Sequence, residues 1–269
     1  MTLPWDRGER RRADTRMPIV ESEAVILRSF PLSEGDRIVS FLSRSVGRLK
    51  GVAQGARKPK SRFGASLETL SHVRIWFYER ETRDLVRIQQ CELLESFLDV
   101  QQDYAKGVAL ALMSEVTEAV LGEREPAEAQ FRLLLLAARG VRTSEDAALP
   151  LAYFAVWTVR LGGWLPPLDR CSTCGASLDG APAYLDVVLG GLACANCRPP
   201  GAREISAAGM DFVRRAVRVN LAQLAETRTD RTVTWQVTGA MLDLIESHVE
   251  KHLNSRRFLE RDQESAGRT

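Results

Sequence analysis

Short apolar runs alternate with turn-forming residues along the first third of the chain. Between Val20 and about Cys91, five runs rich in β-branched and aromatic residues are separated by turn formers such as PLSEGD. The runs are AVILRSF, RIVSFLS, VGRLKGVA, HVRIWFY and LVRIQ. Five short strands are too few for a two-sheet sandwich and are typical of a small Greek-key barrel. The pattern therefore predicts a barrel of the OB type.

After these strands the apolar positions change to a helical period. Apolar residues recur every four positions from Tyr104 to Val120, and Gly122 follows as a stop. QFRLLLLAAR and LPLAYFAVWTVRL predict two further helices. Beyond a cysteine-rich segment, Ser206 is a candidate N-cap for a helix over MDFVRRAVRVNLAQL, and a final helix carries an apolar stripe as far as Leu253.

The predicted fold class is α+β multidomain, with an N-terminal OB-fold small β-barrel followed by an α-helical domain that contains an inserted four-cysteine zinc finger. The predicted segments are 1–16, a disordered basic arm or a mis-assigned start; 17–92, the OB-fold nucleic-acid-binding domain; 93–167 and 202–259, the helical domain; 168–201, the zinc-binding insert; and 260–269, a polar tail.

The insert contains the sequences CSTC and CANC, separated by nineteen residues. Two Cys-x-x-Cys pairs at this separation are typical of a zinc site made of four thiolates, here Cys171, Cys174, Cys194 and Cys197. Four thiolates leave no position for a water molecule, so the single Zn²⁺ is expected to be structural. Two disulfides or a redox pair are the alternatives. Disulfides fit a reducing compartment poorly, and a redox motif would not need to be doubled.

The charge distribution indicates which half of the chain meets a polyanion. Residues 1–90 carry 18 Lys and Arg against 11 Asp and Glu, whereas residues 91–269 carry 19 against 24. The basic front half therefore favours a nucleic-acid partner. No apolar run approaches the roughly 18 residues of a membrane helix, and the first residues lack the apolar region of a secretory signal. We expect a cytoplasmic protein with no membrane contact.

The positive charge is densest in the stretch GARKPKSRFG. Pro59 disfavours helix at the preceding residue, so an extended or turning loop is expected. Small barrels bind single strands by combining such a basic segment with aromatic side chains that stack on bases. The alternative is a solvated loop, and for any single aromatic a core position is the favoured interpretation. The loop cations are Arg57, Lys58, Lys60 and Arg62, and the available aromatics are Phe30, Phe41, Phe63, Trp76 and Tyr78.

Motifs for catalysis are not found. The chain has no Walker-type phosphate loop and no Gly-x-Ser-x-Gly nucleophile elbow. His248 and His252 are four residues apart on the predicted final helix, but the glutamate of a zincin helix does not follow the first histidine. Cys91 is interpreted as a small buried hydrophobe. We therefore predict that the protein is not an enzyme.

The chain resembles the bacterial RecO family of recombination mediators. The similar stretches are EAVILRSFPLSEGDRIVSFLSRSVGRLKGVAQGARKPKSRFGASLETL, HVRIWFYERETRDLVRIQQCELLE, FAVWTVRLGGWLPPLDRCSTCG and HLNSRRFL. The resemblance runs from about Met17 to Leu259. It implies an N-terminal OB fold, a helical domain, a zinc-binding insert, and DNA contacts at the four loop cations. Arg37, Arg48 and Lys50 are weaker candidates for DNA contact.

The resemblance also implies a function in recombinational repair. Members of the family bind single- and double-stranded DNA, anneal complementary strands and help to load the RecA recombinase onto strands coated by single-stranded-DNA-binding protein. The implied partners are RecR and the acidic C-terminal tail of that coating protein, with the RecA filament involved indirectly, and the implied location is the bacterial nucleoid. The competing interpretations are a zinc-stabilised protein-interaction adaptor whose barrel binds no nucleic acid and a metal-dependent nuclease.

Overall fold

The structure, a computed structural model, describes residues 19–78 and 85–266. Five strands close into a barrel in the order β1-β2-β3-β5-β4, in which β3 and β5 are parallel and the other neighbours are antiparallel. A five-stranded Greek-key barrel is the architecture of the OB fold, so the predicted fold is confirmed. The strands are β1 (Ile19–Pro31), β2 (Arg37–Ser43), β3 (Gly47–Ala53), β4 (His72–Tyr78) and β5 (Leu85–Glu95).

Helices form most of the chain after the barrel. The helix α3 (Ala148–Leu161) packs against several other helices and buries most of its side chains, as expected of a helix that is apolar on nearly all sides. It ends at Leu161, the last residue of the predicted run LPLAYFAVWTVRL, and Gly162 and Gly163 follow. No helix in the described ranges is long and apolar enough to cross a membrane. The helices are α1 (Tyr104–Val120), α2 (Glu128–Thr143), α3 (Ala148–Leu161), α4 (Ala207–Ala216), α5 (Leu221–Glu226), α6 (Arg231–Val249) and α7 (Arg256–Ala266).

Three helical segments differ from the prediction. The run MDFVRRAVRVNLAQL is divided into α4 and α5, because the side chain of Asn220 caps a new helix by accepting a hydrogen bond from the Gln223 N–H. The predicted final helix ends at Val249, since Glu250 adopts a left-handed conformation with a φ of 51°. His252 therefore lies outside α6. A further helix, α7, continues through position 260, where a polar tail was expected to begin.

The cysteine-rich insert forms a small sheet of its own. Strands β6 (Ala183–Asp186), β7 (Gly191–Ala193) and β8 (Arg203–Ile205) pair antiparallel in the order β7-β6-β8. Because β8 pairs with β6, the insert extends past the predicted boundary at 201. The strands β6 and β7 form a hairpin. Buried residues of the insert, among them Leu178 and Leu185, pack into the core of the helical domain.

The barrel contributes apolar side chains to the core of the helical domain. In the middle of β1, Ala24 and Ile26 face the barrel interior, whereas Val25 and Leu27 pack into the core formed by the helices. All four side chains are fully buried. The Leu27 carbonyl also accepts a hydrogen bond of 2.7 Å from the Ser114 hydroxyl of α1. The two domains are therefore joined through β1 by packing as well as by the chain.

Candidate nucleic-acid interface and metal centre

The basic tract GARKPKSRFG lies in the connection between β3 and β4 and is anchored at both ends. At its start, the Gly55 N–H donates to the Asp36 carboxylate at 2.8 Å, and the Arg57 N–H donates to the Gly35 carbonyl at 3.0 Å. Gly55 has a φ of 73°, a conformation that glycine adopts without strain. At the other end, the Phe63 ring is buried in the barrel core. These contacts fix the backbone at both ends of the segment that contains the four cations.

The four predicted loop cations, Arg57, Lys58, Lys60 and Arg62, are all exposed. The Arg57 guanidinium donates to the Ser33 carbonyl in the turn between β1 and β2 at 2.7 Å, and the Arg62 guanidinium lies 5.1 Å from the Phe63 ring centre. These contacts orient two of the four cations and leave their positive charge at the surface. The tract is therefore a surface that can attract a polyanion.

The three weaker candidates separate into two groups. Arg37 lies at the start of β2, near the loop, and donates to the Ser29 hydroxyl at 2.6 Å. Arg48 and Lys50 instead pair with Glu123, which follows α1, at 3.4 and 2.9 Å. The hydrogen bond from Lys50 holds the pKa of Glu123 below its ordinary value. Arg48 and Lys50 thus form ion pairs between the barrel and the helical domain. Sequence spacing alone could not show this.

The structure separates the five candidate aromatics by burial. Phe41 and Phe63 are core residues of the barrel, whereas Phe30 is 49% exposed. On β4, Trp76 and Tyr78 point outward and are half-buried, as the alternation in HVRIWFY predicts. Phe30, Trp76 and Tyr78 are therefore the members of this set that a ligand on the outer barrel wall can reach.

The four predicted zinc ligands come together in the insert. The Sγ atoms of Cys171, Cys174, Cys194 and Cys197 all lie within 4.8 Å of one another, and those of Cys174 and Cys194 are 3.8 Å apart. All four are free thiols. A tetrahedral site with metal–sulfur bonds of about 2.3 Å needs sulfur atoms about 3.8 Å apart. The four cysteines can therefore hold a metal ion.

The backbone of the first Cys-x-x-Cys turn favours an ionised sulfur. The Gly175 N–H donates to the Cys171 carbonyl at 2.9 Å, and Gly175 has a φ of 74°. Backbone N–H groups of Cys194 and Cys174 lower the pKa of the Cys171 thiol to about 6. The neighbouring sulfurs, Cys174 first, raise the pKa of Cys197 to about 12. Four sulfurs this close can all be ionised only beside a cation, which is the chemistry of a closed four-cysteine site.

The remaining cysteine is of a different kind. Cys91 lies in the barrel core, and burial raises the pKa of its thiol to about 12. A thiol that stays protonated is a poor nucleophile and a poor metal ligand. The interpretation of Cys91 as a buried hydrophobe is confirmed by its 7% exposure.

Comparison with known proteins assigns both halves of the chain to one family. The family model described as "Recombination protein O N terminal" matches residues 17–97, and "Recombination protein O C terminal" matches residues 101–257. The chain belongs to the RecO family. A curated "DNA repair protein RecO" from Koribacter versatilis (strain Ellin345) is 36% identical over 233 residues, which cover 87% of this chain and 95% of that protein.

Two further relatives extend the similarity over the full length of the curated proteins. The "DNA repair protein RecO" from Frankia casuarinae (strain DSM 45818 / CECT 9043 / HFP020203 / CcI3) is 33% identical over 253 residues, covering 91% of this chain and 100% of the relative. The protein of that name from Cutibacterium acnes (strain DSM 16379 / KPA171202) is 31% identical over 255 residues, with the same two coverages. The predicted family is confirmed, and the chain is a DNA repair protein of the RecO family.

A cleft between α2 and α3 was not found by sequence reasoning. It has a volume of about 570 Å³, and barrel residues including Arg44 form part of its wall. From α2 it receives Arg132, Leu136 and Arg139, and from α3 it receives Tyr153, Trp157 and Leu161. Leu136 and Leu161 are each 43% exposed. The run LLLLAA could have indicated this cleft, because it contains more apolar residues than one buried helix face can accommodate.

Proposed function

We propose that this RecO-family chain is a recombination mediator that binds single- and double-stranded DNA through the loop between β3 and β4. The observation that carries the proposal is the anchored backbone of this loop with its four exposed cations, next to the turn between β1 and β2. The turn between the first two strands is among the usual nucleic-acid contacts of OB folds. Arg37, at the base of the same region, is a further candidate contact.

Strand annealing requires little more than such a surface. Cations that hold phosphates reduce the repulsion between two strands and leave the bases free to find their partners. No nucleophile or general base is needed, and the proposal involves no catalytic residue. Assistance in loading a recombinase onto protein-coated strands, with RecR and RecA as further partners, is the part of the proposal that rests on family membership.

We assign the metal of the insert as one structural Zn²⁺ bound by the four cysteines. A site of four thiolates is closed to water, and its softness favours zinc over magnesium or calcium. The small sheet β6-β7-β8 has strands of only three and four residues. A sheet of this size rarely folds without additional stabilisation, which a metal ion can supply.

We further propose that the cleft between α2 and α3 receives the acidic tail of the protein that coats single strands. Along α2, Arg132 and Arg139 lie on either side of Leu136 at helical spacing, so two cations border an apolar position. Trp157 and Leu161 provide an apolar wall on α3. A peptide with carboxylates and one apolar side chain complements such a cleft in charge and in polarity.

The DNA-binding proposal predicts a specific salt dependence. Fluorescence anisotropy of a labelled single-stranded oligonucleotide, measured across a salt series, should give a steep decrease in affinity for the wild type. Each phosphate contact on a single strand contributes a slope of about −0.7. Changing Arg57, Lys58, Lys60 and Arg62 together to Ala should therefore reduce the slope by about 2 to 3.

A matched variant controls for the loss of net charge. Replacing Arg218, Arg228, Lys251 and Arg257, four exposed cations of the helical domain, with Ala removes the same charge away from the barrel. Its salt slope should remain that of the wild type. An unchanged slope in the loop variant would place the DNA elsewhere. If neither the wild type nor the variants bind DNA, the zinc-stabilised adaptor becomes the better interpretation.

A further inference from the structure

A single row of outward-pointing residues crosses the barrel wall, and we call it the outer row. In the strand register, Phe30 pairs with Ile38, Ile38 with Val52, Val52 with Arg87, and Arg87 with Tyr78. Residues directly opposite each other on paired strands project from the same face of the sheet. Along the strands, Val39 next to Ile38 and Phe77 next to Tyr78 are buried in the barrel. The outer row therefore belongs entirely to the outside surface.

The composition of the outer row is unusual for a surface. The solvent face of an antiparallel sheet is expected to be polar, yet four of these five residues are apolar or aromatic. Phe30 is half-exposed, Arg87 is exposed, and Ile38, Val52 and Tyr78 are partly accessible. Since neighbouring strands are about 4.8 Å apart, four steps across the sheet extend about 19 Å. The row is thus an accessible strip with an aromatic ring at each end and a guanidinium next to the second ring.

The charge around the outer row indicates what covers it. Phe30 lies at the end of β1, just before the turn to which the loop cation Arg57 donates a hydrogen bond. The row therefore starts beside the basic tract and contains a cation of its own, Arg87. An apolar protein partner would not complement these positive charges. A ligand that combines phosphates with flat aromatic faces complements both features, and a single-stranded nucleic acid is that ligand.

We propose that the outer row is the base-stacking surface for single strands, with Phe30 and Tyr78 as the stacking residues and Arg87 as a contact between them. The inference rests on the proposed DNA binding by the loop and assigns the contacts to bases, which the loop does not make. Base stacking on aromatic rings tolerates any sequence. In a duplex, by contrast, the faces of the bases are already covered by their neighbours. The outer row should therefore distinguish single strands from duplexes.

The test compares a normal oligonucleotide with an abasic strand of the same number of phosphates. The wild type should bind the normal strand more tightly than the abasic strand. In the double variant Phe30→Ala/Tyr78→Ala, affinity for the normal strand should fall by at least about tenfold, since each stacked base typically contributes a factor of about five or more and the variant loses two. Affinity for the abasic strand and for duplex DNA should be unchanged, as should the slope of affinity against salt.

Matched variants separate stacking from general damage to the barrel. Tyr104→Ala removes a more exposed aromatic, 60% accessible, from α1 and should bind like the wild type. Phe30→Trp and Tyr78→Phe keep a ring and should retain affinity. If the double variant binds the normal strand as tightly as the wild type does, the outer row is not the stacking surface, although a salt slope lost in the loop variant would still support the proposed function. If the wild type binds no DNA, both proposals fail.

Discussion

At the scale of single residues, Glu115 on α1 connects three parts of the molecule. Its carboxylate is 2% exposed and accepts hydrogen bonds from the backbone N–H groups of Asn254 and Ser255 at 2.9 and 2.7 Å. Arg28 of the barrel lies 3.4 Å away. Burial alone would raise the pKa of Glu115, but the hydrogen bonds from Ser255 and Asn254 outweigh it and hold the pKa below its ordinary value. The charged form of Glu115 therefore stabilises the fold.

Glu115→Gln should destabilise the protein by about 2 kcal/mol at pH 7, because two N–H donors lose a charged acceptor. A depressed pKa in the folded state gives stability that is present above the unfolded-state value of about 4.3 and is lost as the pH falls through the folded-state pKa. The difference between wild type and variant should therefore shrink below about pH 4. Urea unfolding of the wild type and the variant, repeated from pH 7 downward, measures this difference in the free energy of unfolding.

An exposed ion pair supplies the control for Glu115. Glu92 is 54% exposed and pairs with Arg74 at 3.4 Å on the barrel surface. Glu92→Gln should cost less than about 1 kcal/mol, with little dependence on pH, because such pairs are screened by water. Equal effects of the two substitutions at pH 7 would show that the contacts of Glu115 with Asn254 and Ser255 contribute no more than a surface charge.

At the scale of elements, the proposed zinc site predicts that loss of the metal affects the insert and leaves the barrel intact. Replacing Cys194 and Cys197 with Ser should abolish zinc binding and remove hydrogen-exchange protection from residues 168–205, because the three short strands there lose their shared anchor. Protection of the barrel strands and affinity for single strands should be retained. Cys91→Ala, which alters a thiol outside the cluster, should leave one zinc per chain. Full zinc content in the double variant would exclude the four-cysteine site.

The elements that sequence predicted well are those with a local cause. The alternation in HVRIWFY determines which side chains of β4 face inward, and a four-residue period over α1 gives both of its ends. The spacing of the four cysteines brings their sulfurs together because each Cys-x-x-Cys pair is a compact turn. Each of these features depends on neighbours along the chain.

Two of the features that were missed have a tertiary cause. The apolar period of α6 continues to Leu253, but the helix stops at Val249. Beyond this end, the N–H of Leu253 donates a hydrogen bond of 2.7 Å to the Glu246 carboxylate. The roles of Arg48 and Lys50 depend on Glu123, more than seventy residues away. By contrast, the burial of β1 on both faces could have been predicted, because the unbroken apolar run AVIL is typical of such a strand.

At the scale of the whole molecule, burial of β1 on both faces makes the barrel and the helices one packed unit. Ion pairs reinforce this junction, among them Arg44 with Glu128 at 2.8 Å and Arg142 with Glu95 at 2.7 Å. Such a junction fixes the basic loop of the barrel relative to the cleft between α2 and α3, whose wall includes Arg44. A single chain can thus present the proposed DNA-binding surface and the proposed peptide-binding cleft in a constant arrangement.

The cleft proposal predicts that peptide binding and DNA binding can be lost independently. A labelled acidic peptide that ends in an apolar residue should bind the wild type, and Leu136→Asp should abolish binding by placing a carboxylate in the apolar part of the cleft. Arg132→Ala should weaken binding by at least about fivefold, or ~1 kcal/mol.

Leu189→Asp makes the same chemical change at an exposed position in the insert and should have no effect. Because the loop cations lie on the barrel, all three variants should bind a single-stranded oligonucleotide as the wild type does. Unaltered peptide affinity in Leu136→Asp would exclude the cleft, and displacement of the peptide by the oligonucleotide would place the tail at the DNA-binding surface of the barrel.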